Sequence, residues 1–197
     1  MARTKAFDET EVLEKARDLF WKQGYTATSI GDLEKHLGIS RSSLYQTFGG
    51  KRQLYDKTLA AYQETNFSFL RKHLDGADGL RSALIDLFTR AATQKHPDCQ
   101  SSARGCYVVN ATTEMANFCP DALNFLSKNR EQFVAIMEEA LARAQVRGML
   151  ASDADTTNLA NYLFVCYNGL QVVVQTRPDR RELVRAVTTS IEMLPWA

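Results

Sequence analysis

Residues 28–51 hold the side chains best suited to touching a nucleic acid. Ser40–Thr47 includes Arg41, Ser42, Ser43, Gln46 and Thr47, short hydrogen-bonding groups and one guanidinium. Such donors and acceptors match the base edges exposed in a DNA major groove. Lys51 follows at the expected start of the next helix. There its ammonium and the free backbone N–H groups can grip one phosphate. The local charge agrees: Lys35–Tyr55 carries Lys35, Arg41, Lys51 and Arg52 with no acid, although the whole chain carries only +1. Four basic residues in such a stretch also describe an ordinary solvated face, so charge alone decides nothing.

Other chemistry finds little support. His36, His73 and His96 are the only histidines, with no Asp, Glu or Cys cluster around them. No HExxH, GxSxG or Gly-rich phosphate loop occurs, so an enzyme is not expected, nor is a cofactor or metal. Cys99, Cys106, Cys119 and Cys166 lack CxxC spacing, which excludes a zinc ribbon. No apolar run approaches the ~20 residues that span a bilayer. The first ten residues contain no apolar signal core, so the expected location is the cytoplasm.

The elements that must position these groups read as helices throughout. Val12, Leu13, Ala16, Leu19 and Phe20 recur at helical spacing and predict a helix over 8–23, closed by Gly24. Thr28 is the expected N-cap of a short helix ending at Leu37, and Ser40 that of a second ending at Phe48. Gly38-Ile39 between them is a tight turn, the helix-turn-helix arrangement, with Ile39 and Leu44 packing back on Leu33 and Leu37. An ordinary corner in an all-helical protein would read the same way. Further helices are expected over 51–73, 80–93, 105–117, 120–147, from Asp153 or Asp155 to Thr176, and on to Met193. The fold class is therefore all-α, with about nine helices and no alternating strand pattern.

The order of residues is more specific than the turn. Gly24-Tyr25-Thr26-Ala27-Thr28-Ser29-Ile30, Asp32-Leu33, Leu37-Gly38-Ile39-Ser40 and Ser43-Leu44-Tyr45-Gln46-Thr47-Phe48-Gly49-Gly50-Lys51 resemble the DNA-binding domain of the TetR/AcrR family of transcriptional repressors. The likeness spans about Phe7–Leu59. It implies a three-helix helix-turn-helix domain over residues 1–58 and a ligand-binding and dimerisation domain over 59–197. It also implies a near-palindromic double-stranded DNA operator, a homodimer and a small-molecule effector. On this resemblance Arg41, Ser42, Ser43 and Gln46 face bases or nearby phosphates, with Ser40 and Thr47 on the same helix. Tyr45 and Lys51 contact the backbone, and Thr28 a phosphate. Glu34 departs from the small residue common at its place, and its carboxylate is expected to point outward.

The C-terminal part supports both remaining roles. Leu159–Val174 is apolar almost all round and needs cover on more than one side, by its own core and by a partner subunit. Leu170 and Val173 are the expected points at which a charge would break that contact. Tyr107, Asn110, Glu114, Tyr167 and Gln171 offer polar atoms on apolar faces, as an effector pocket requires. Cys106, at a helix start beside Arg104, is expected to have a lowered pKa. It is the candidate for an electrophile- or redox-sensing alternative. A helical ligand carrier that binds no DNA is the remaining alternative.

Overall fold

The computed structural model describes residues 7–75, 79–93 and 104–197. The helices are α1 (Glu9–Gln23), α2 (Ile30–Leu37), α3 (Arg41–Phe48), α4 (Lys51–Leu74), α5 (Leu80–Thr93), α6 (Tyr107–Met115), α7 (Pro120–Val146), α8 (Thr156–Val173) and α9 (Arg180–Glu192). A single 3₁₀ turn, Val174–Thr176, extends α8. Among the described residues there is one isolated bridge, Leu150 to Trp196, and no strand. The connector holding His96, Pro97 and Cys99 lies outside the described residues.

Local chemistry explains the boundaries. Asp8 caps α1 by accepting the Thr10 N–H at 2.7 Å. Asp155, not Asp153, caps α8 by accepting the Asn158 N–H. The cap of α2 corrects the sequence reading: it is Ser29, not Thr28. Ser29 and Asp32 form a reciprocal box in which each side chain accepts the other's backbone N–H. Thr28 is fully buried, its hydroxyl donating to the Gly24 carbonyl at 2.6 Å.

Two hydrophobic clusters form, and α4 joins them. Leu54, Tyr55 and Leu59 belong to the first, with α1, α2 and α3; Phe67, Leu70 and Leu74 belong to the second, with α5, α7, α8 and α9. The first cluster also takes Tyr107, Val108, Ala111 and Met115 from α6 and Leu126 from α7. The packing therefore does not divide at residue 58. α6 is part of the floor beneath the N-terminal helices, and any motion of α6 reaches them through direct contact.

Candidate nucleic-acid interface

The turn before α3 sets the site. Gly38 sits at φ +68, a left-handed conformation that costs a side-chain-bearing residue ~1–2 kcal/mol. It lets the chain reverse between α2 and α3. Glu34, expected to point away, instead reaches across the turn and accepts the Arg41 N–H at 2.6 Å. This carboxylate lies at the N-terminal end of α3, where negative charge is favoured by the orphan N–H groups. The departure from the family pattern is thus a bond between the two helices.

Ser40 is the cap of α3. Its hydroxyl oxygen accepts the Ser43 N–H and lies 2.9 Å from Ser42 Oγ and 3.0 Å from Ser43 Oγ. Leu44 and Phe48 are buried and anchor the helix. Arg41, Ser42, Tyr45 and Gln46 are exposed, while Ser43 and Thr47 are half-buried. Eight residues at ~1.5 Å each make a rod of ~12 Å, short enough to lie in one major groove.

Lys51 opens α4 beside this face. Its ammonium lies 4.3 Å from the centre of the Tyr25 ring. Burial there lowers its pKa, opposed by the nearby charges of Glu114 and Asp32. Tyr25 thus holds a cation in place at the α4 N-terminus. Arg52, by contrast, binds both carboxylate oxygens of Asp56 at 2.9 Å and the Cys119 thiol at 2.8 Å, so its guanidinium is already occupied. Thr28 leaves the set of candidate contacts, because its hydroxyl is buried and already donates. Lys51→Ala is expected to weaken binding to every DNA sequence and to lower the slope of log affinity against log salt by about one. Titrations at several salt concentrations check it; an unchanged slope would exclude a phosphate contact.

The residues proposed for an effector are spread over three adjoining hollows. Tyr167 and Gln171 line a cavity of about 450 Å³, with Trp21, Tyr62, Phe69 and Arg104. Cys106 lines an adjoining one of about 100 Å³ that shares Tyr62, Phe69 and Tyr167 with the first. Tyr107, Asn110 and Glu114 border a cleft of about 330 Å³ that shares Trp21 and Arg104 with the larger cavity. Tyr107 is buried with its hydroxyl 2.9 Å from Thr58 Oγ1, and Asn110 donates to the Arg104 carbonyl. Glu114 accepts the N–H groups of Tyr25 at 2.9 Å and Thr26 at 2.7 Å. It therefore ties α6 to the loop between α1 and α2. Sequence reasoning missed Trp21, which α1 sends into the larger cavity with its indole N–H on the Arg104 carbonyl.

Removing the Glu114 carboxylate leaves two loop N–H groups without their charged acceptor. Hydrogen bonds to charged groups contribute ~1.5–3 kcal/mol each when sheltered, and less at a half-exposed site. Glu114→Ala is expected to cost ~1–2 kcal/mol, a fall of roughly 2–8 °C in melting temperature for a chain of this size. A melting temperature unchanged within about a degree in calorimetry would show that the tie is immaterial.

The cysteines also correct an expectation. Burial pushes the Cys106 thiol up, outweighing the Val109 and Val108 N–H groups and the Tyr62 hydroxyl that favour its anion. The lowered thiol is Cys119, where the Arg52 hydrogen bond and the first N–H groups of α7 stabilise the thiolate. Cys166 is half-buried against the second core cluster.

A three-helix head with a capped, polar third helix after a glycine turn, seated on a helical body, defines a helix-turn-helix DNA-binding regulator. Residues 12–58 match the model of bacterial regulatory proteins of the tetR family, and residues 81–190 that of the tetracyclin repressor-like C-terminal domain. The chain belongs to the tetR family. YezE of Bacillus subtilis strain 168, an uncharacterized HTH-type transcriptional regulator, is 30% identical over 196 residues, covering 98% of this chain and 100% of its own. The HTH-type transcriptional repressor ComR of Escherichia coli K12 is 28% identical, covering 98% and 91%. Among solved structures, a cysteine mutant of the TetR family regulator CifR bound to 26-bp double-strand operator DNA superposes with a TM-score of 0.85 at 28% identity, covering 98% and 100%. The protein is a sequence-specific DNA-binding transcriptional regulator and not an enzyme. The reading as a carrier that binds no DNA is set aside. Among the described residues no cluster could hold a metal ion, and no helix is long and apolar enough to cross a membrane.

Proposed function

We propose that the protein acts in the cytoplasm as a homodimeric repressor that leaves its operator when a small molecule fills the larger cavity. The observation that carries this reading is the wall of that cavity. Trp21 comes from α1 of the DNA-binding head, Tyr62 and Phe69 from α4, Leu87 from α5, and Tyr167 and Gln171 from α8. A ligand there touches the head directly and also the helix that begins at Lys51. Spreading these walls shifts the two recognition helices, which must sit about 34–36 Å apart to enter successive major grooves. Arg41, Ser42, Ser43 and Gln46 read bases, Ser40 and Thr47 support them, and Tyr45 and Lys51 hold the backbone. Residues 1–58 supply DNA contact and residues 59–197 sensing and pairing, with α6 shared between them.

The effector need prefer the released state by only ~1–3 kcal/mol to weaken operator binding ~5–150-fold. Selection from a random DNA library tests the first half of the proposal: a near-palindrome is expected, and no sequence preference overturns it. For the second half, a compound that releases DNA must itself bind more weakly to the operator complex by the same factor. Equal affinity with and without operator in isothermal titration overturns it.

A further inference from the structure

We infer that the larger cavity takes a planar aromatic molecule carrying one negative charge, with Arg104 as its counter-ion. This rests on the effector reading above and names the chemistry of the ligand. Four rings, Trp21, Tyr62, Phe69 and Tyr167, face the hollow. Three of them are held by other aromatic rings, while the more exposed Phe69 stacks on His73 at 5.2 Å. Trp21 meets Tyr62 edge-on at 5.2 Å, and Tyr62 meets Tyr107 edge-on at 5.7 Å. Tyr167 is wedged between Phe88 and Phe133, each at 5.4 Å. Fixed faces and edges of this kind suit a flat ring, which can stack or meet them edge-to-face without reordering the wall. A volume of about 450 Å³ lies within the range of cavities that enclose small organic ligands.

The charge follows from a count of the lining. Asp86, Arg90 and Arg104 border the cavity. Asp86 is already matched: it accepts from Arg90 Nε at 2.6 Å, and His73 Nε2 lies 3.4 Å away. Arg104 differs. Its carbonyl is fixed by the Trp21 indole and the Asn110 amide, while its guanidinium has no ion-pair or hydrogen-bond partner among the described residues. Among the described residues the lining therefore carries one unmatched positive charge beside aromatic walls. A guanidinium fork offers two parallel N–H groups to a carboxylate. A cationic ligand meets no free carboxylate among the described residues there.

The test uses the full-length dimer carrying Trp196→Phe, which leaves Trp21 as the only tryptophan. The probes are 2-naphthoate, its neutral amide 2-naphthamide and the cation 2-naphthylmethylammonium. Naphthoate is expected to quench Trp21 emission and to bind about tenfold or more tighter than the amide, the effect of one charged hydrogen-bonding pair. Arg104→Gln in the same background is expected to bring acid and amide to within about threefold of each other. Isothermal titration of the unaltered chain must give the same ranking, which removes any dependence on Trp196. Equal binding of acid and amide, or tightest binding of the cation, overturns the charge assignment. Neither quenching nor heat from any probe at millimolar concentration overturns the site. A different compound that releases operator DNA would then keep the effector reading while this assignment fails.

Discussion

Val165→Glu and Val173→Glu are expected to convert the protein into a monomer near the chain mass of 22.2 kDa and to abolish tight operator binding. On α8, Tyr162, Val165, Val172 and Val173 are 42%, 67%, 47% and 44% exposed. Their spacing of three, seven and one places them on one stripe, with Gly169 open at its centre. The opposite face, Ala160, Leu163 and Leu170, is buried in the subunit's own core. A stripe of apolar side chains left bare along a helix whose other face is buried is the kind of surface an identical subunit covers in a two-fold dimer. A carboxylate at its middle would be buried unpaired in that contact, at a cost of several kcal/mol. The effect on DNA is larger still. Two linked heads bind an operator ~10²–10⁴-fold better than one, because the second docks from a high effective concentration. Light scattering and an operator titration check the outcome; a dimer mass with unchanged operator affinity would falsify this face. Leu170→Glu does not make the same test, since Leu170 is 5% exposed and its replacement unfolds the core instead.

What the sequence made legible was short-range. Gly24 and Gly38 ended their helices as read, and the amphipathic run Leu80–Thr93 is α5 residue for residue. Apolar spacing and end residues act within a turn or two, so one chain displays them. Thr28 and Ser29 were separable as well: Asp32, three residues after Ser29, carries the capping-box spacing that Thr28 lacks. The remaining site was not legible, because its partners are far apart in the chain. Glu114 reads as a polar group on an apolar helix, and nothing nearby says that its acceptors meet N–H groups 89 and 88 residues away. Trp21 reads as one more residue at the end of α1, yet packing against Arg104 and Tyr62 turns it into a cavity wall. Cys106 shows the same limit in its charge. The helix start was visible and argues for a thiolate, whereas the burial that outweighs it exists only in the folded chain.

Among the described glycines, Gly105→Ala is expected to be the most damaging glycine-to-alanine change. Gly105 lies at φ +67, and a Cβ built on it would fall on the carbonyl oxygen of Gln171 and 2.5 Å from Gln175 Nε2. The first of these is backbone of α8 and cannot swing aside. Two costs therefore add: ~1–3 kcal/mol for a side chain in the left-handed region and ~1–3 kcal/mol for the forced displacement. Together they approach the lower end of the ~5–15 kcal/mol that holds a domain folded. For a chain of this size the melting temperature should fall by roughly 5–20 °C. Gly148→Ala supplies the comparison. Gly148 has nearly the same backbone angle, φ +70, but nothing within 4 Å of its Cβ position, so only the backbone cost applies. The difference between the two variants then measures how closely the start of α6 is pressed against α8. Gly105 and Gln171 both line the larger cavity. A chain that refolds around the extra methyl must therefore widen the contact between them and change the cavity with it. Equal losses in the two variants would mean that α6 and α8 yield easily at this point.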